Sequence, residues 1–334
     1  MATLAIAASG CIFGPRFAPG DDGRQWLPPA AVPRLLGRYR GEDTGLELSP
    51  AFFGGRLWVA SNAGVLELSA GRLTGLHRWT GGNTAVELAF AGRDGLWVHP
   101  LEPFSLVRFD GQRWQRMPMP PIPADAIRGE VLEGFRVASD GTRHWLNGFH
   151  HVWEWNEAAA NWRVIREGEM GQRIFAAPVA GGGLFVIRNQ AGEVDWIVHA
   201  DSVTDTQGRT QASRTEPFLA DDVATMAGAA WIRTSAGHVL RAGLTSVEDT
   251  EVPGPAVAIG SDLNGPPLAL VRDQGVYVFD GSWRRRLPWP DGLKIRFLSL
   301  PKVTADGDTI AVTANGHLWI SRAGGRLEAV PLAQ

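Results

Sequence analysis

The residues of this sequence best able to act together are a group of histidines and tryptophans in its middle third. His144, His150 and His151 lie close to Trp145, Trp153, Trp155 and Trp162. Imidazoles ligate metals or shuttle protons, and indoles in excess of one core layer can form a contact patch for a partner or a sugar. His150 and His151 are adjacent and on a strand would face opposite sides, which works against a shared metal ion. His144 and His150 are evenly spaced, but Asn147-Gly148 between them reads as a turn. No metal site is expected. His144, His150, Trp153, Trp155 and Trp162 stand as binding candidates, with core packing as the competing role for the tryptophans.

Motifs that would carry catalysis are missing. The sequence has no Gly-x-Ser-x-Gly elbow, Walker loop, His-Glu-x-x-His or EF-hand loop. Ser139-Asp140-Gly141-Thr142 lacks the spacer of a sialidase-type Ser-x-Asp-x-Gly turn and reads as an ordinary Asp-Gly turn. Asp21-Asp22, Asp221-Asp222 and the stretch from Asp201 to Asp205 sit beside Gly, Ser, Thr or Pro, the company of turns and loops. No catalytic residue, cofactor or metal is assigned.

The elements that must position these side chains repeat along the chain. TIAVTANGHLWI from Thr309 matches TLAIAASGCIFG from Thr3 place for place. The same phrase, an apolar strand, a small turn with Gly and a second apolar strand, recurs from Arg56, Ala229 and Pro267, and more loosely from Gly95, Thr142 and Gly183. Each copy has the alternation and turn chemistry of a β-hairpin. FDGQRWQRMPMP from Phe109 and FDGSWRRRLPWP from Phe279 add an Asp-Gly turn, an outer strand and a proline exit. Apolar stretches from Leu46, Thr84, Ile174, Pro255 and Ile295 supply inner strands. Four short antiparallel strands every ~40–50 residues is the blade of a β-propeller. The expected fold is therefore all-β, one propeller over residues 1–334, with eight blades preferred and seven the alternative. The eighth blade would draw on Thr3 to Pro29, with RQWLPPA as its outer strand. Trp58, Trp97, Trp145, Trp231 and Trp319 occupy related positions and are expected to pack between blades.

Composition narrows the function classes. A net charge of −3 disfavours a general nucleic-acid binder. The densest basic run, Arg284-Arg285-Arg286, is expected to be solvated or paired, since neighbours on a strand point opposite ways. A single cysteine, Cys11, excludes an internal disulfide and fits a reducing compartment. The opening stretch lacks Lys or Arg before Cys11 and aligns with an interior repeat, so it reads as strand rather than signal. With no apolar run long enough to span a membrane, the expectation is a cytoplasmic chain that neither enters a membrane nor binds nucleic acid.

Arg56 to Leu68, with Leu57-Trp58-Val59 and Asn62-Ala63-Gly64, resembles the repeat of two-component-regulator-type propellers, and Gly95 to Val98 and His317 to Ile320 echo it. Ala60 stands where that family's repeat has glycine. A free-standing propeller of this kind is also similar to the bacterial propellers that accompany an ATPase and a von Willebrand A protein. Those resemblances imply a scaffold with a protein partner. The rival expectation is a hydrolase or carbohydrate-binding propeller with a small-molecule site in the central channel.

Overall fold

Short apolar runs broken by Gly and Asp-Gly turns allow only short antiparallel strands, and such strands must bury their faces against neighbouring sheets. A computed structural model describes residues 24–39, 48–79, 86–91, 95–100, 105–121, 136–140, 142–148, 151–167, 173–179, 182–188, 194–200, 220–242, 247–260, 265–290, 294–295 and 301–332. Their strands form seven antiparallel sheets, each built from strands consecutive in sequence apart from one N-terminal addition.

Sheet 1 holds β1 (Arg24–Leu27), β2 (Leu48–Phe53), β3 (Arg56–Ser61), β4 (Gly64–Ser69) and β5 (Arg72–Trp79). Sheet 2 holds β6 (Val86–Ala91), β7 (Leu96–Pro100), β8 (Leu106–Phe109) and β9 (Trp114–Met117). Sheet 3 is β10 (Arg136–Ser139), β11 (His144–Asn147), β12 (His151–Asn156) and β13 (Asn161–Glu167). In sheet 4 only three strands are described, β14 (Arg173–Val179), β15 (Gly182–Arg188) and β16 (Val194–Ala200). Sheet 5 follows with β17 (Ala220–Met226), β18 (Ala229–Thr234), β19 (Val239–Ala242) and β20 (Val247–Asp249). Sheet 6 has β21 (Ala256–Gly260), β22 (Leu268–Val271), β23 (Gly275–Phe279) and β24 (Trp283–Pro288). Sheet 7 ends the chain with β25 (Lys302–Asp306), β26 (Thr309–Ala314), β27 (His317–Ser321) and β28 (Glu328–Ala329).

An all-β propeller of antiparallel sheets is thus the architecture. The second strands begin where the repeats place them, with β3, β7, β11, β15, β18, β22 and β26 at Arg56, Leu96, His144, Gly182, Ala229, Leu268 and Thr309. The turns carry the expected backbone: Asn315 and Gly316, between β26 and β27, both have positive φ (53° and 71°), as a tight hairpin turn requires.

Three expectations are corrected. The eight-blade count does not hold among the described residues. Arg24–Leu27, read as the outer strand of an additional blade, instead pairs with β5 and makes sheet 1 five-stranded, from Arg24↔Trp79 to Leu27↔Leu76. Its partner Thr3 to Gly14 lies outside the described residues. The inner strand of sheet 7 is Lys302–Asp306 rather than the run from Ile295, because the Asp306-Gly307 turn places Lys302–Asp306 in register with β26, from Asp306↔Thr309 to Lys302↔Thr313. Finally, Trp58, Trp97, Trp145 and Trp231 lie on second strands, whereas Trp319 lies on a third strand, β27.

The ring closes where sheet 7 meets sheet 1, with β25 and β26 against β2 and Thr313 Oγ1 donating to Leu48 O at 3.1 Å. In the repeat alignment, Ala311 stands where Trp58 stands in sheet 1. The same apolar cluster includes Val32 and Leu36 of the helix α1 (Val32–Tyr39), and Leu332 beyond β28. These three residues are fully buried and add to the apolar volume of the closing seam. Leu36→Ala is expected to lower stability by about 2–5 kcal/mol, read as a fall in the urea midpoint, with an exposed α1 substitution such as Arg34→Ala leaving the midpoint almost unchanged.

Candidate functional site

Of the His/Trp group predicted from the sequence, Trp153, Trp155 and Trp162 lie at the seam of sheets 2 and 3, whereas Trp145 faces sheet 4. Trp155 and Trp162 are cross-strand partners on β12 and β13, with ring centroids 5.3 Å apart. Trp97 of β7 meets both edge to face, at 5.7 and 6.0 Å. Trp153 packs in the same cluster with Leu106, Met117 and Leu146, fully buried, and stacks on His151 at 5.4 Å. Two of the indole nitrogens donate within the protein, Trp162 Nε1 to Pro118 O at 2.9 Å and Trp155 Nε1 to Glu157 Oε2 at 2.5 Å. Buried rings meeting edge to face are the chemistry of a packed core. Trp153, Trp155 and Trp162 therefore form the joint between two sheets, and their rings offer no exposed platform.

His144 is also interior, its Nδ1 2.9 Å from Ser139 Oγ and its ring 5.5 Å from that of Trp97. His150 lies outside the described residues. Among the described residues no three His, Cys, Asp or Glu side chains converge on a metal-sized site. Asp140 is the turn residue expected: its Oδ1 accepts from the backbone N–H of Thr142 and Arg143 at 2.9 and 2.8 Å. Arg143 pairs with Asp140 Oδ2 and donates to Gly182 O and Val179 O of sheet 4 at 2.6 Å each, tying sheet 3 to its neighbour.

Sequence reasoning missed a chain of charged groups on sheet 1. The register Arg24↔Trp79 and Val65↔His77 brings the ends of β1, β4 and β5 together. Arg24 Nη1 is 2.9 Å from His77 Nδ1. A guanidinium can only donate, so Nδ1 accepts and Nε2 carries the proton. That Nε2 lies 3.0 Å from Glu67 Oε2, and Arg56 Nη1 holds the other carboxylate oxygen. The hydrogen bond from His77 foremost, with the Arg56 guanidinium adding to it, holds the Glu67 carboxyl below its ordinary range against the opposing effect of burial. Only the strand register brings Arg24 within reach of residues some fifty positions later, so no local spacing signalled the contact.

A second feature lies in the seam of sheets 6 and 7, a cavity of about 390 Å³ lined by residues that include Leu268, Val278, Ile310 and the three arginines of the Arg284 run. The run was visible in the sequence, but its position over an open seam was not.

The sequence matches no family model and no curated protein. Solved structures share the fold. PorZ, a surface component of the type-IX secretion system of Porphyromonas gingivalis, superposes with a TM-score of 0.63 at 12% identity, over 87% of this chain and 39% of that one. The extracellular domain of the one-component system BT4673 of B. thetaiotaomicron gives 0.55 at 13% identity, over 85% and 39%. A puromycin-hydrolysing peptidase of Mycobacterium tuberculosis gives 0.55 at 16%, over 91% and 54%. This chain spans well under two thirds of each of those chains, and identities this low establish the fold alone. The cytoplasmic expectation is corrected: structures of this fold include extracellular domains and a surface component, which point away from that location.

Two substitutions test this description. Because the Glu67 carboxyl is held low, its contribution is present above the ordinary value near 4.5 and is lost as pH falls through the folded-state value. Glu67→Gln is expected to cost about 1.5–3 kcal/mol at pH 7, and denaturant titrations should show the gap to wild type closing below about pH 4.5. A Cβ on Gly183 would lie 2.0 Å from Cη2 of Trp145 across the seam of sheets 3 and 4. Gly183→Ala should therefore destabilise by about 1–3 kcal/mol through overpacking, measured as a lowered Tm.

Proposed function

We propose that this chain is a non-catalytic propeller, one domain over residues 1–334, that serves as a rigid scaffold for a protein partner. The carrying observation is how the interior is used. In every seam between neighbouring described sheets the side chains form an apolar cluster. The predicted His and Trp candidates within the described residues are spent on that packing. What remains outward is the edges of the outer strands and their turns, the surfaces a scaffold offers. PorZ, described as a surface component of a secretion system, is a case in which a propeller of this fold belongs to a larger assembly. The resemblance of Arg56 to Leu68 to two-component-regulator-type repeats supports the same use.

The test is capture from an extract of the source cells with the tagged full-length chain, followed by size-exclusion chromatography. A protein retained in fixed stoichiometry through high-salt washing and co-eluting with the chain is the expected result. Elution as a bare 36.1 kDa species, together with turnover in a panel of ester, peptide and glycoside substrates, would overturn the reading.

A further inference from the structure

The seam between sheets 6 and 7 receives no tryptophan from a second strand. Sheets 1, 2, 3 and 5 each direct a tryptophan of the second strand at the next sheet: Trp58 meets Trp114, Trp97 meets Trp155, Trp145 meets Gly183 and Trp231 meets Trp283. On β22 of sheet 6, the residues that face sheet 7 are Leu268 and Leu270. Trp289 and Trp319 join that cluster from other strands, 6.0 Å apart, but neither lines the cavity. Smaller side chains leave the cavity of about 390 Å³, walled by Leu268, Val278, Ala305 and Ile310 and bounded by Pro266 and Gly307.

Outer strand β24 overhangs this opening with Arg284, Arg285 and Arg286, all exposed. Arg284 is in register with Val278, whose side chain packs with the cluster facing sheet 7. Cross-strand partners share a face, so Arg284 is on the cavity side. Arg285 is in register with Tyr277, which packs toward sheet 5, so it lies on the other face of the same edge. Arg286 is the extra residue where the register shifts, and it reaches across the seam to Asp308 at 2.8 Å. That pair accounts for one cation. Neither Arg284 nor Arg285 makes a side-chain ion pair or hydrogen bond among the described residues, and Asp280 is the remaining carboxylate at the cavity. Finally, β24 is last in its sheet, so no described strand occupies its outer edge.

We infer that this seam is a docking site for an extended acidic segment of a partner protein, which adds along the edge of β24 and seats one apolar side chain in the cavity. The inference rests on the scaffold reading and names the chemistry of its partner. An added strand gains backbone hydrogen bonds from the edge, and its side chains alternate between the two faces. An acid on either face meets Arg284 or Arg285, and an apolar residue on the cavity side meets Leu268, Val278 and Ile310. Arginines also guard open edges against unwanted pairing. Guarding accounts for the charge, but it does not require an apolar cavity beneath it.

The test is selection from a displayed library of random twelve-residue peptides on the immobilised full-length chain. Enrichment of peptides with several Asp or Glu and one Leu, Ile, Phe or Met is expected. Their affinity should fall at least tenfold for Arg284→Gln/Arg285→Gln, shown to be folded by its Tm, and stay unchanged for Arg113→Gln, an exposed arginine on sheet 2. Selected peptides without acidic enrichment, or equal binding to the double variant, would overturn the inference. Full displacement of the peptides by hexanoate at low millimolar concentration would also overturn it, in favour of a small carboxylate. If the partner captured from the extract binds wild type and the double variant equally, the scaffold reading stands and this site falls.

Discussion

The constraint on which this molecule depends is the filling of the seams between sheets. A four-stranded antiparallel sheet has two faces and little apolar mass of its own, so it is stable only when both faces are covered. Seven apolar clusters correspond to the seven junctions around the ring, each mixing residues of two neighbouring sheets. An indole removes about 150–250 Å² from water, which explains how strands of four to six residues can carry a stable interface. Eleven of the 14 tryptophans are buried, and that packing accounts for most of the tryptophan content of the sequence.

Polar groups in the seams fix how the sheets sit on one another. Asn147 exchanges a pair of bonds with the backbone of Ala176, at 3.1 and 2.8 Å, between sheets 3 and 4. Thr225 Oγ1 donates to Pro178 O at 2.8 Å between sheets 5 and 4, and Trp283 Nε1 to Thr250 Oγ1 at 2.9 Å between sheets 6 and 5. Apolar packing alone tolerates sliding, whereas a buried polar atom loses its partner if the sheet shifts. The result is a ring whose joints are directional, which is what a rigid scaffold needs.

Much of this was legible in the sequence, for physical reasons that differ by element. Second strands and their turns were readable because hairpins are local: an apolar run, a residue tolerant of positive φ and a second run specify one another. Arg24–Leu27 was misassigned because its partner β5 is remote, and an edge strand carries no mark of which sheet it will join. The last inner strand was misplaced because the run from Ile295 is the more apolar, whereas Lys302–Asp306 shows only Val303 and Ala305 in alternation and is marked mainly by the Asp306-Gly307 turn that follows it. Trp153, Trp155 and Trp162 were recognisable as a cluster, but whether a strand face looks at solvent or at another sheet depends on its neighbour. The neighbour here is Trp97, more than fifty residues away. The same limit hid the pairing of Arg24 with His77 and the open seam under Arg284.

How the ring closes follows from the same packing rule. Each described sheet is made from its own stretch of chain, so among the described residues the last sheet is joined to the first by side chains and not by an exchanged strand. Its second strand offers Ala311 where sheets 1, 2, 3 and 5 offer tryptophan, which would leave the joint underfilled. Helix α1 answers that shortage: Val32 and Leu36 enter the cluster shared by Leu57, Leu66, Leu318 and Ile320. β1 then extends the same sheet outward, and its Arg24 is bonded to the buried His77. The N-terminal segment therefore performs the fastening that a shared strand would perform. The seam of sheets 6 and 7 holds Trp289 and Trp319, but no described helix packs on it, and the cavity under β24 is left beside them. A cavity of about 380 Å³ remains at the rim of the closing seam as well, between Gly71 and the outer strands of sheet 7, so the two seams differ in whether a helix packs their interior and not in whether a cavity is left beside it.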